Sequence, residues 1–289
     1  MKQINQFITE YIIKKKLDKP IDSEDHCIYF PKTKQELINN IKECFDSKNY
    51  DLNCIDTSEI TDMSYLFKNV RGINFDVSNW NVSNVENMSN IFSYCFAFDC
   101  DLSKWNVSNV TNTSCMFYHC HNFKAKGLEN WNVSKVTHFE YMFSYCGNIT
   151  DIDLSKWNVS NGMYFNLMFY KCENFKGNGL EKWSLDNAEY MSNMFEYCEN
   201  FDCDVSNWKF DKVFFANGMF YGCKKFKGVG LDKWDANDFT NMSFMFYDCK
   251  SLNVDLENWD IKPSTNLAYI ENMFTLCDSM KKLPTWYKE

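Results

Sequence analysis

The chain has 289 residues, 45% of them hydrophobic and 24% charged, with a net charge of −9 and a sequence pI near 5.1. That balance supports a sizeable core and excludes global disorder. It also argues against a general binder of nucleic-acid phosphates, and no run of 18 apolar residues is present to span a bilayer.

Residues 1–50 do not repeat. Ile4, Phe7, Ile8, Tyr11 and Ile12 recur at helical spacing and predict an amphipathic helix, with Lys14, Lys15 and Lys16 in a block beyond it. As a secretory signal the segment is poor, because Asn5, Gln6, Thr9 and Glu10 break the apolar stretch and the lysines come after it. A cytoplasmic location with reduced thiols is therefore expected. Thr33 and Glu36 form a capping box ahead of Leu37, Ile41, Cys44 and Phe45, which predicts a second helix. Both helices are expected to cap the open end of the repeat array that begins at residue 51; docking to a partner is the alternative.

From residue 51 to 289 the chain is periodic. Trp80, Trp105, Trp131, Trp157, Trp183, Trp208, Trp234 and Trp259 are 25 or 26 residues apart, with Ile55 before the first and Trp286 after the last. A Phe row keeps step through Phe67, Phe92, Phe117, Phe143, Phe169, Phe195, Phe220, Phe246 and Phe274. So does a Cys row through Cys95, Cys120, Cys146, Cys172, Cys198, Cys223, Cys249 and Cys277. A period of this length marks stacked units, none of which buries its apolar face alone. The Cys row reads as free buried thiols rather than a bridge pattern.

Each unit divides in two. Leu102, Trp105, Val107 and Val110 follow a leucine-rich strand pattern, with Trp105 and Val107 on one face. Met88, Ile91, Phe92 and Cys95 follow i, i+3, i+4, i+7 and predict a short helix, with Asn87, Asn112 and Asn241 at the capping position. The expectation is one short strand and one short helix per 25–26 residues, in about nine units. Gly127, Gly179 and Gly230 precede a Leu in loops one residue longer than the others, where a positive φ would absorb the extra residue.

The stretches Asp101–Asn112 (DLSKWNVSNVTN) and Asn241–Cys249 (NMSFMFYDC) resemble the BspA-like (bacterial surface protein A-like) leucine-rich repeats, a type also seen in mycoplasma lipoproteins. The resemblance covers residues 51–289. It implies an α/β repeat wound as a right-handed leucine-rich-repeat-like solenoid, capped by residues 1–50 and without catalytic residues. Members include surface adhesins, and related arrays occur in phage and large-virus genomes. With no signal peptide, lipobox or wall anchor read in this sequence, the expectation moves toward an intracellular or virus-encoded binder.

Chemistry-bearing motifs are scarce. His119-Cys120-His121 looks like a metal cluster, but Cys120 belongs to the buried row and no Cys-x-x-Cys accompanies it, so no metal is expected. The Gly pairs at 177/179 and 228/230 lack the strand–turn–helix frame of a phosphate cradle, and no cofactor is expected. Asn81, Asn106, Asn132 and Asn158 match glycosylation sequons, although their fixed place after each Trp suggests a stacked Asn ladder. No serine-hydrolase or metalloprotease motif is present, so no enzyme is expected.

Two surfaces are candidates for binding a protein. The strand face is monotonous early and diverges later, at Ser184, Asp186, Lys209, Asp211, Asp235, Asn237, Asp260 and Lys262. An aromatic row, Tyr94, Tyr118, Tyr145, Tyr170, Tyr197, Tyr221 and Tyr247, comes one or two residues after the core Phe and is the second choice. Residues 1–54 carry nine basic and nine acidic side chains, so the whole charge excess lies in the repeats and favours a basic partner surface. The leading function is a non-enzymatic protein-binding scaffold; an inhibitor sequestering a host factor, a cell-surface adhesin and a structural virion component are the alternatives.

Overall fold

The structure, a computed structural model, describes residues 29–210, 212–236, 239–259, 261 and 269–288. The predicted stripe from Ile4 to Ile12 lies outside them. The helix predicted after Thr33 is present as α1, Lys34–Asp46. Thr33 is extended and its hydroxyl accepts from the Glu36 amide, as an N-cap does. Leu37, Ile41, Cys44 and Phe45 are buried, and Lys34 Nζ reaches Asp62 at 2.9 Å and Ser64 Oγ at 2.7 Å in the first coil of the repeat.

Beyond α1 the chain runs in coils laid in parallel register. Single β-bridges link Asp62, Asn87, Asn112, His138, Tyr164, Tyr190, Phe215 and Asn241 in sequence, each to its equivalent one period on. The three aromatic-aliphatic rows stack through this array. Successive Phe rings from Phe67 to Phe274 lie 5.4–5.8 Å apart and within 18° of parallel. Full burial of a side chain of this size stabilises by about 1.5–3 kcal/mol, so the stack is the main source of cohesion.

The Trp and Cys rows add polar stitching inside that core. Each Trp Nε1 donates to the carbonyl of the Leu-type residue one coil back, from Trp80 to Leu52 through Trp286 to Leu256, at 2.8–3.2 Å. Each row Cys thiol donates to the Phe carbonyl one coil back, from Cys95 to Phe67 through Cys277 to Phe246, at 2.9–3.1 Å. These bonds explain why the rows hold Trp and Cys, which are apolar bodies with one donor. They explain the exceptions too. The first coil follows α1, and its equivalents are Ile55 and Val70, both buried and neither with a side-chain donor.

The half-unit expected to be helical is not a helix. Among the described residues α1 is the single α-helix, and the Met–Phe half-units are chains of turns. In one coil the amides of Ile91, Ser93 and Cys95 bond back three residues, to Met88, Asn90 and Phe92, while those of Met88, Asn90, Phe92 and Tyr94 donate forward to Asn112, Ser114, Met116 and Tyr118. Two residues per coil take positive φ to allow this, Asn90 (φ 59°) and Tyr94 (φ 63°) here. The buried stripe Met88, Ile91, Phe92, Cys95 is therefore as expected, but turns and not a helix create it.

The strand expected around Trp also differs. Trp105 and Val107 are buried and Lys104 and Asn106 exposed, yet beyond Tyr29–Ile55 and Asp51–Asp76 at the start of the array the parallel bridges run through the Asn87–Asn112 column. Nor do Asn81, Asn106, Asn132 and Asn158 form a ladder: each accepts from the amide two residues on, within its own turn. Inter-coil amide stitching comes from Asn84, Asn109, Asn161 and Asn187, whose Nδ2 groups donate to carbonyls one coil back at 2.7–2.8 Å.

Gly127, Gly179 and Gly230 take φ of 87–91° and lead into 3-10 turns at Leu128–Asn130, Leu180–Lys182 and Leu231–Lys233. A Cβ on any of them would lie 2.2 Å from a backbone nitrogen one coil back, so close approach and φ both require glycine.

Candidate protein-binding face

The turn chains lay every outward residue of the Met–Phe halves on one face. Tyr94, Tyr118, Tyr145, Tyr170, Tyr197, Tyr221 and Tyr247 all lie there, each half-buried. From Tyr94 to Tyr221 they alternate between the position just before the row Cys and the one before that, so the rings zigzag, while Tyr247 repeats the position of Tyr221. Three pairs result: Tyr94–Tyr118, Tyr145–Tyr170 and Tyr197–Tyr221, edge-on with ring centroids 5.1–5.2 Å apart. Tyr118–Tyr145 at 6.0 Å, Tyr170–Tyr197 at 6.3 Å and Tyr221–Tyr247 at 4.6 Å join the pairs into one strip across seven coils.

Partial burial and the phenol–phenol hydrogen bond within each pair keep Tyr118, Tyr170 and Tyr221 protonated, with Tyr221 pushed up to about 12. Two cations are set into the strip. Lys171 Nζ lies 5.2–5.6 Å from the ring centroids of Tyr145, Tyr170 and Tyr197, and the Arg71 guanidinium 5.7 Å from Tyr94 and 5.3 Å from Phe96.

A second aromatic column on this face was missed from the sequence. At the bridge position, Asp62, Asn87, Asn112 and Asn241 close turns by accepting from Ser64, Ser89, Ser114 and Ser243. The four intervening coils place His138, Tyr164, Tyr190 and Phe215 there, stacked at 4.7, 5.3 and 5.6 Å. Reading that column for helix caps hid the signal, since the aromatic members were passed over. Phe214 and Phe215 are 45% and 40% exposed at its end.

The divergent residues after each Trp are less concentrated. Ser184 Oγ donates to Asp186 within its own turn at 2.6 Å, and both are half-buried. Lys209 and Asp235 are exposed. Asp211, Asn237, Asp260 and Lys262 lie outside the described residues.

In the His119-Cys120-His121 motif, Cys120 turns inward to the Phe92 carbonyl at 3.0 Å. His119 is stacked between Tyr94 and Tyr145, with Nδ1 3.4 Å from His121 Nε2, and burial together with His121 lowers its pKa to about 4. No group of three metal-ligating side chains occurs among the described residues. No helix among them is long and apolar enough to cross a membrane.

The profile of a family described as "Mycoplasma protein of unknown function, DUF285" matches the chain over residues 35–151, 116–203 and 167–287, three overlapping segments that together follow the repeat. No curated protein matches it.

Proposed function

The chain belongs to that DUF285 family, a repeat family of unknown function, and from this premise we propose that it is a non-enzymatic scaffold that binds a protein. The coils are read as a right-handed solenoid of the leucine-rich-repeat kind, working in a reducing compartment such as the cytoplasm, with the tyrosine strip as the contact surface. One observation carries the reading: seven half-exposed tyrosines from seven coils form a continuous strip with two cations embedded. Tyrosine gives large contact area and a polar tip at low entropic cost, which is why it concentrates in interfaces. The acidic excess of the repeats favours a basic partner. The rows beneath hold the strip rigid, so little ordering entropy is lost on docking.

The test is an affinity capture with three baits: the wild-type chain, the triple variant Tyr145→Ser/Tyr170→Ser/Tyr197→Ser, and the double variant Lys209→Asn/Asp235→Asn. Circular dichroism first establishes that all three are folded. A partner held by the wild type and the double variant but lost by the triple variant is expected. Retention by the triple variant and loss by the double variant would move the interface to the turns after Trp.

A further inference from the structure

Of the described thiols outside the Cys row, two meet at the junction of α1 and the repeat. Cys44 projects from α1 and is buried; Cys54 ends the 3-10 turn Leu52–Cys54 of the first coil and is half-exposed. Their sulfurs are 3.8 Å apart, across the junction between helix and repeat. We propose that Cys44 and Cys54 are a site of reversible oxidation, closed into a disulfide by exchange with a low-molecular-weight disulfide such as oxidised glutathione.

The geometry assigns the roles. Cys54 is the accessible sulfur; Asn49 Nδ2 donates to it at 3.9 Å, its thiol donates to the Asp51 carbonyl at 3.8 Å, and once deprotonated it is the attacking thiolate. That thiolate attacks one sulfur of oxidised glutathione. A Cys54–glutathione bond forms, the glutathione S–S bond breaks, and the first glutathione leaves and takes up the proton Cys54 released. Cys44, as its thiolate, then attacks the Cys54 sulfur of the mixed disulfide and displaces the second glutathione, which takes the second proton. Two electrons pass from the two cysteines to one oxidised glutathione, giving two glutathione thiols. Closing the bond brings the two sulfurs from 3.8 Å to about 2.05 Å.

The remaining described thiols are less reactive, and burial pushes Cys100 and Cys203, which lie outside the row, up to about 12. The row sulfurs are buried and donate to Phe carbonyls one coil back, and burial pushes Cys172 up to about 12 and Cys120, Cys146, Cys198, Cys223 and Cys249 well above the ordinary thiol value. Cys115, also half-exposed, is pushed up to about 11 by burial and the nearby Glu140. Thiolate is the reactive form, so these thiols are poor partners for exchange. The disulfide would fasten α1 to the first coil, where Lys34–Asp62 and the buried side chains of α1 already hold it. This inference does not depend on the binding function proposed above.

The experiment uses the full chain. After incubation with oxidised glutathione, remaining thiols are blocked with N-ethylmaleimide and the protein is analysed by intact mass and peptide mapping. Expected is a loss of two mass units with two fewer alkylated thiols, a single linked peptide pair containing Cys44 and Cys54, and full reversal by reduced glutathione. Cys44→Ser is expected to stop at a glutathione adduct on Cys54, and Cys54→Ser to show neither adduct nor bridge. A persistent adduct on Cys54 in the wild type, a bridge through any other cysteine, or oxidation unchanged in both variants would each overturn the assignment.

Discussion

Replacing Gly179 by Ala isolates the constraint that holds consecutive coils in register. Gly179 has φ 87°, and a Cβ there would lie 2.2 Å from Ser155 N, 2.5 Å from Asp153 Oδ1 and 2.8 Å from the Leu154 carbonyl carbon. The positive φ alone costs an alanine about 1–2 kcal/mol. Relieving the contact requires the backbone at 153–155 to retreat by about 1 Å, because normal carbon–nitrogen contacts exceed 3 Å. That retreat breaks the Leu154 amide bond to Asn178 O (3.1 Å) and the Ser155 amide bond to Asp153 Oδ1 (2.9 Å), at about 1 kcal/mol each. The expected destabilisation is therefore about 3–4 kcal/mol. Gly147→Ala is the control, since its Cβ meets nothing within 4 Å and its φ is not positive; it should be neutral or stabilising by up to about 1 kcal/mol. Urea unfolding followed by tryptophan fluorescence reads both, with Trp157 and Trp183, stacked at 6.3 Å, spanning the affected interface. A Gly179→Ala variant within about 1 kcal/mol of Gly147→Ala would refute the close-approach argument.

Cys172→Val copies Val70 of the first coil into the middle of the array; it loses the thiol bond to Phe143 O (2.9 Å) and adds a methyl group at a fully buried site. A loss of about 1–3 kcal/mol is expected in thermal melts, whereas Val70→Cys should cost less than that. Glu140 is half-buried, its Oε2 lacks a partner among the described residues, and burial raises its pKa. Because the folded-state value is raised, stability is full below the ordinary carboxylate range and falls as pH rises through the shifted value. Glu140→Gln should thus stabilise by about 1 kcal/mol at pH 7 and converge with the wild type at pH 4, as read from urea midpoints at several pH values.

The buried rows were legible because they rest on side-chain identity. Trp105, Phe92 and Cys95 recur with their equivalents whatever backbone carries them, and so does the exposed tyrosine row. The capping box at Thr33 and Glu36 was legible for a related reason, as its hydrogen bonds span three or four residues. The His138–Tyr164–Tyr190–Phe215 column was not: its members share shape but not identity, and the coils on either side hold Asn in the same slot.

By itself, then, the sequence determined the period, the buried rows and the first coil's departure from the Trp row at Ile55. Only the tertiary structure decided the backbone between those rows. The spacing of Met88, Ile91, Phe92 and Cys95 fits a helix and a chain of turns equally, and local preference favours the helix, since Asn90 and Tyr94 carry no glycine signal. What tips the balance is that Met88, Asn90, Phe92 and Tyr94 each give their amide proton to a carbonyl 24 residues on. A bond to the neighbouring coil exists only once the coils are stacked, and it repays the positive φ that an isolated segment would avoid.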